Sequence, residues 1–263
     1  MNALLLAALV GCALLVLWVW RLRAERAVLV RRVEKARADL GRLQQSFSRF
    51  TPADVVEDII ARGVAPRGDK REVTVLFADL QGFTSMSDKL DAEVMVKILN
   101  GYFEVMSQAI AAEHGHVAKF MGDGLMALFG AVVQNPWQAR DAVRAALGMR
   151  AALVTYNAQL RAQGLPELKF GIGIHSGEVV AGMIGSTQLM EFTVIGDVVN
   201  VAARVESLTR QHQTDILVTP EVRARLDAGV RVREMPAVPV KGKPQPIVTY
   251  AVDGLGELTS SPA

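Results

Sequence analysis

Cysteine is nearly absent: Cys12 stands alone in 263 residues. An intramolecular disulfide framework is therefore excluded, and the composition fits a reducing compartment. His114, His116, His175 and His212 are the four histidines, and none has metal-ligand spacing with an acid or with the cysteine. A phosphate-cradling Walker loop is missing too, because Gly242-Lys243 runs into Pro244 without an upstream glycine loop. Gly171 and Gly173 imitate a dinucleotide fingerprint whose third glycine is out of place. Charge of one sign is also scarce. The net charge is +2, and residues 21–37 hold seven Lys or Arg against two acids, so removing that +5 surplus leaves −3 elsewhere. A slightly acidic globular part carries no electrostatic footprint for nucleic acid.

Apolar sequence, at 51% of residues, is plentiful enough for a sizeable core. Residues 3–20, ALLLAALVGCALLVLWVW, carry no charge, and as a helix they would extend roughly 27 Å at about 1.5 Å per residue, just enough to cross a bilayer. Trp18 and Trp20 then fall at the interface, and Arg21, Arg23 and Arg26 follow as cytoplasmic anchors. The expectation is a single-pass anchor over residues 1–20 in the inner (cell) membrane, in contact with lipid, with the rest of the chain cytoplasmic. A cleaved signal peptide lacks its charged n-region and small-residue site. Leu9-Val10-Gly11-Cys12 looks like a lipoprotein cleavage box, but the apolar run continues past it. Such an anchor leaves lipid, a partner membrane protein or a cytoplasmic ligand such as bicarbonate as the regulatory input.

Leu29, Val33, Ala36, Leu40, Leu43, Phe47 and Phe50 repeat spacings of four and three, the seam of a coiled coil. The alternative is an amphipathic helix lying on its own domain. Residues 21–50 are thus expected to form a parallel homodimerisation helix. Residues 51–70 read as a short helix carrying Val55, Val56, Ile59 and Ile60, then a Gly/Pro linker from Gly63. A compact domain is expected over 71–253, and a disordered tail over 254–263.

Within the domain, Val73 to Ala78 is an uncharged β-branched run, the pattern of a strand buried on both faces. A long helix is expected over 86–113, a hairpin from strands 117–120 and 125–129, and a second long helix over 137–161. Strands follow at 168–175, 177–184 and 191–195, then a helix over 197–208, a strand at 216–218, a short helix at 221–226 and a closing strand at 247–252. This order suggests an α+β sandwich with a mostly antiparallel sheet and helices packed on one face.

Asp79 ends the first strand, and a carboxylate there is costly to desolvate unless something positive compensates it. It reads either as a metal ligand or as the N-cap of the next helix. Asp123 sits between Gly122 and Gly124 at the hairpin tip, where an Asp is ordinarily a turn residue. Two glycine-flanked carboxylates at strand ends are what a pair of divalent ions needs to clamp a triphosphate.

These residues resemble the class III nucleotidyl cyclases, the adenylate and guanylate cyclase homology domain. The likeness covers about residues 70–252 and rests on FADLQGFT (77–84), KFMGDGLMALFG (119–130), GIHSGEVVAGMIGS (173–186), TVIGDVVNVAARVE (193–206) and VKGK (240–243), in that order. It implies a ferredoxin-like, palm-type fold. It also implies that Asp79 and Asp123, with the carbonyl of Leu80, bind two Mg²⁺ or Mn²⁺ ions per active site. By the same resemblance Asn200 orients the ribose, Arg204 stabilises charge on the α-phosphate, and Lys119 and Thr193 select the base. Lys241 would contact the β- and γ-phosphates. Lys119 argues for ATP, while the Thr193 hydroxyl, both donor and acceptor, leaves room for some GTP. The resemblance further implies a site shared between two protomers. A guanylate cyclase and a catalytically inactive dimerisation module remain as alternatives. A diguanylate cyclase would need a GG[DE]EF turn, which Met121-Gly122-Asp123-Gly124 is not.

Overall fold

The structure is a computed structural model that describes residues 2–47, 68–88, 90–186, 188, 190–239 and 246–256. The chain divides between residues 56 and 57 into two units. The first holds α1 (Asn2–Phe47), one unbroken helix. Among the described residues no helix is long and apolar enough to cross a membrane. The expected membrane anchor, its lipid contacts and the inner-membrane localisation are corrected accordingly. Leu29, Val33 and Leu40 of the heptad seam are more than half exposed. Of the short helix and linker expected over 51–70 and the tail expected over 254–263, residues 51–67 and 257–263 lie outside the described residues, as does Lys241, expected to contact phosphate, whereas residues 68–70 and 254–255 are strand rather than linker and tail.

The second unit is built on one eight-stranded sheet. Its strands are β1 (Gly68–Leu80), β2 (His116–Met121), β3 (Gly124–Phe129), β4 (Phe170–Gly185), β5 (Met190–Ile195), β6 (Ile216–Val218), β7 (Val230–Val238) and β8 (Ile247–Leu255). They run in the order β2-β3-β1-β4-β6-β8-β7, with β5 branching from β4. Among the described residues only the β4–β6 pair is parallel. The mixed, largely antiparallel α+β architecture matches the expectation.

The helices are α2 (Phe83–Ser87), α3 (Ala92–Ala112), α4 (Gln138–Ala162), α5 (Asp197–His212) and α6 (Pro220–Arg223). They do not share one face. Even-numbered residues of β1, Leu76, Ala78 and Leu80, enter a core with Ile98 and Met106 of α3 and Met149 of α4. Odd-numbered Val73 and Val75 enter a second core with Val198 and Ala202 of α5. A period of two puts successive side chains on opposite faces, and β1 is apolar on both, so helices cover both.

Three boundaries differ from the sequence reading. The helix expected from residue 86 is two helices, the longer capped by Asp91, whose carboxylate accepts from the Glu93 amide. The two strands expected at 168–184 are one, because Ser176 and Gly177 continue the ladder opposite Thr74 and Val73. Strand β7 was not anticipated.

Candidate active site

Strand β1 carries Asp79 to its C-terminal end, opposite Gly171 of β4. The β2–β3 hairpin pairs Phe120 with Leu125 and Met121 with Gly124, so its turn places Asp123 beside that end. Gly122 takes a left-handed φ of 65°, a conformation glycine adopts at no steric cost. Gly124 is required for a different reason: a Cβ there would lie 2.9 Å from Asp79 Oδ1 and 3.1 Å from the Ala78 carbonyl. The turn therefore closes onto the first aspartate, and both expected metal carboxylates share one corner. Desolvation and then the charge of Asp79 push the Asp123 carboxyl above its usual range. Among the described residues no cluster of three or more His, Cys, Asp or Glu is placed to hold a metal; the two aspartates are a pair. Leu80 buries its side chain, which leaves its carbonyl as the only ligand it can offer.

The N-cap reading of Asp79 fails, since α2 is capped by Gly82. Instead, Arg210 of α5 donates from Nη2 to Asp79 Oδ2 at 2.6 Å. Glu206, one turn earlier on the same helix face, is buried, and its Oε1 has no hydrogen-bond partner. Desolvation, followed by the charge of Asp79, raises the Glu206 carboxyl to about 7. The two misleading glycines explain this packing. A Cβ on Gly171 would lie 2.8 Å from Glu206 Oε1, and one on Gly173 would lie 2.6 Å from the Ala202 carbonyl. They are there so that α5 can lie against β4.

Asn200 and Arg204 sit on another face of α5. At about 100° per residue, Arg204 and Arg210 are about 120° apart around the helix. Asn200 shares the outer face with exposed Ser207 and Gln211. Arg204 is half-buried and, among the described residues, pairs with neither Glu206 nor Asp197, so the surface ion pair that would have made it unremarkable is not formed. Lys119 of β2 reaches across to Glu191 of β5 at 3.1 Å. Thr193 lies two residues further along β5, hence on the same side as Glu191. The two expected base-reading residues are thus drawn to one place, with Glu191 between them.

Sequence reasoning missed Arg210, Glu206 and Glu191. The contact between Arg210 and Asp79 spans 131 positions, beyond the reach of any local spacing rule. The available signal was the four-residue step from Glu206 to Arg210, which sets both on one helix face.

Comparison with known proteins agrees with this geometry. The family described as the adenylate and guanylate cyclase catalytic domain matches residues 66–254. An adenylate cyclase of Anabaena cylindrica is 37% identical over 79% of this chain and 42% of its own length. Adenylate cyclase 1 of Rhizobium meliloti is 32% identical over 80% of this chain and 32% of its own. The chain therefore spans less than half the length of these relatives. Among solved structures, the guanylyl cyclase Cya2 is 38% identical at a TM-score of 0.69, covering 74% of this chain and 98% of that one. The adenylyl cyclase CyaB from P. aeruginosa is 31% identical at 0.66, covering 71% and 95%.

Proposed function

The chain belongs to the adenylate and guanylate cyclase catalytic domain family, and from that premise we propose that it converts ATP to 3′,5′-cyclic AMP and pyrophosphate at a site shared by two copies. The observation that carries the shared site is the division of α5. The face that meets Asp79 bears Glu206 and Arg210, while Asn200 and Arg204 look outward. The chain folds its transition-state arginine away from its own aspartates, so one copy's Arg204 serves the Asp79 and Asp123 of the other.

The residues present suit a divalent ion. Desolvation, and then the charge of neighbouring Asp79, raises the Asp123 carboxyl, and the space a Cβ at Gly124 would fill beside Asp79 is left open. Asp79, Asp123 and the Leu80 carbonyl would hold Mg²⁺ or Mn²⁺, which when bound lowers the pKa of the 3′-hydroxyl and steadies the departing pyrophosphate. Arg204 carries a planar guanidinium with no carboxylate partner among the described residues, suited to the oxygens that gain charge on the α-phosphorus. Asn200, one turn before it, orients the ribose. Lys119 donates to an adenine ring nitrogen and Thr193 meets the exocyclic amine. The exposed heptad side chains of α1 support a parallel coiled coil that raises the local concentration of two catalytic units.

Guanylate cyclase activity is the second reading, favoured by the 38% identity to the guanylyl cyclase Cya2; turnover of ATP and GTP measured side by side decides between them. The shared site is tested by mixing chains. Asp79→Ala and Arg204→Ala are each expected to be inactive alone. Co-expressed, they should recover about a quarter of wild-type activity, because half of randomly assorted dimers are mixed and each has one intact site. A mixed dimer that assembles and stays inactive would overturn the reading.

A further inference from the structure

Arg210 reaches Asp79 with a single bond, from Nη2 at 2.6 Å, although a guanidinium has five N–H donors in a fixed fork. Its side chain is 51% exposed, and it also lines a cleft of about 590 Å³ between α4 and α5 together with Gln81, Lys169 and Thr209. Lys169 is exposed and has no ion pair among the described residues. The cleft's other cation, Arg150, is held by both oxygens of Asp215. Gln81 ties the backbone after Asp79 to the start of β4: its amide donates to the Lys169 carbonyl at 2.7 Å and its side chain to the Phe170 carbonyl at 3.2 Å. Two cationic groups with donors to spare therefore line one cleft, and one of them, Arg210, also touches Asp79.

We propose that Arg210 and Lys169 form a same-chain grip for the polyphosphate tail of the nucleotide, and that without nucleotide the Arg210 guanidinium stands against Asp79 where a divalent cation would bind. The proposal rests on the cyclase reading and adds to it a residue, a ligand group and an exchange. A guanidinium and a divalent ion compete for the same carboxylate oxygen. A triphosphate arriving with its cation resolves the competition, giving positive charge to Asp79 and phosphate oxygens to Arg210, which binds them in bidentate fashion. Cation and polyphosphate then help each other to bind, and by linkage each raises the other's affinity by the same factor. Lys169, a point charge at the cleft rim, adds attraction for the tail without touching Asp79.

The test is Mn²⁺ binding followed by electron paramagnetic resonance, first without nucleotide and then with inorganic pyrophosphate as the probe. Arg210→Gln is expected to tighten Mn²⁺ alone about fivefold and to weaken pyrophosphate binding to the Mn²⁺-loaded protein about tenfold, removing most of the coupling. Arg210→Lys keeps the charge but loses the fork and should fall between. Lys169→Ala should weaken pyrophosphate about threefold and leave Mn²⁺ alone unchanged. If Arg210→Gln and Arg210→Lys both match wild type in Mn²⁺ and pyrophosphate affinity, the proposal is overturned while the cyclase reading stands. If wild-type protein cyclises neither ATP nor GTP in a parallel assay, the reading beneath it is overturned as well.

Discussion

At the aspartate corner Asp79 is answered by a cation of its own chain; on the outer face of α5 Arg204 meets no carboxylate among the described residues. Asp79 has Arg210 at 2.6 Å, and Lys119 has Glu191 at 3.1 Å. Arg204, half-buried on the same helix as Arg210, has no carboxylate among the described residues. Partial burial of an unpaired cation costs free energy, and on the proposed shared-site reading Arg204 offsets that cost by meeting an anion brought by the nucleotide. On the same reading the aspartate corner would hold a cation within one chain, while the outer face of α5 would meet the partner copy's substrate.

Separating metal binding from chemistry is the sharpest way to break that comparison. Asp123→Asn should abolish Mn²⁺ binding and lower cyclase turnover at least about 10³-fold. Arg204→Ala should lower turnover about 10²- to 10³-fold with Mn²⁺ affinity unchanged, the signature of a group that acts only in the transition state. If Arg204→Ala also loses Mn²⁺, the two regions are one, and the division of α5 has no functional meaning.

A smaller effect separates the corner from its scaffold. Arg150 donates to both oxygens of Asp215 at 2.6 and 2.7 Å and to the Val252 carbonyl at 2.7 Å, fastening α4 to the β6 and β8 side of the sheet. Arg150→Ala should lower stability in urea unfolding by about 2 kcal/mol, as expected for a half-buried bidentate pair. Mn²⁺ affinity should not follow it, because Asp79 and Asp123 are held by β1 and the β2–β3 hairpin.

The motif-bearing segments were legible in the sequence because their determinants are local. The run Val73 to Ala78 has the composition of a doubly buried strand, and the Gly-Asp-Gly turn has the chemistry of a hairpin tip. What escaped was set at long range. Ser176 and Gly177 look like a break until Thr74 Oγ1 is found 2.7 Å from Ser176 Oγ, which buries the serine within one continuous strand. Strand β7 hides behind Pro236, Arg231, Arg233 and Glu234 because it is an edge strand, where proline and charge are tolerated and discourage further pairing. The helices were assigned to one face because periodicity shows which side of a helix is apolar but not which side of the sheet receives it. The four-residue step from Glu206 to Arg210 showed a shared helix face, but not that Arg210 meets a carboxylate 131 positions away.

The finest test concerns Glu206, buried below the corner with one oxygen unpartnered. Its carboxyl titrates at about 7 rather than near its ordinary 4.5, first because burial disfavours the anion and then because Asp79 is negative. The native state thus holds this proton over a range in which the unfolded chain has released it, so stability contributed here falls as pH rises from about 4.5 to 7 and is level above. Part of the group's environment is polar, and Arg210 offsets some of the shift, so the loss should be on the order of 1 kcal/mol. Glu206→Gln carries the neutral form permanently. It should remove that slope and leave the protein more stable than wild type at pH 8 and indistinguishable from it at pH 4.5, measured by urea unfolding at both. A variant equally destabilised at both pH values would mean that Glu206 is ionised in the folded protein and that Arg210, not a proton, neutralises it. Arg210 would then be shared between two carboxylates, and the contrast between an answered Asp79 and an unanswered Arg204 would weaken.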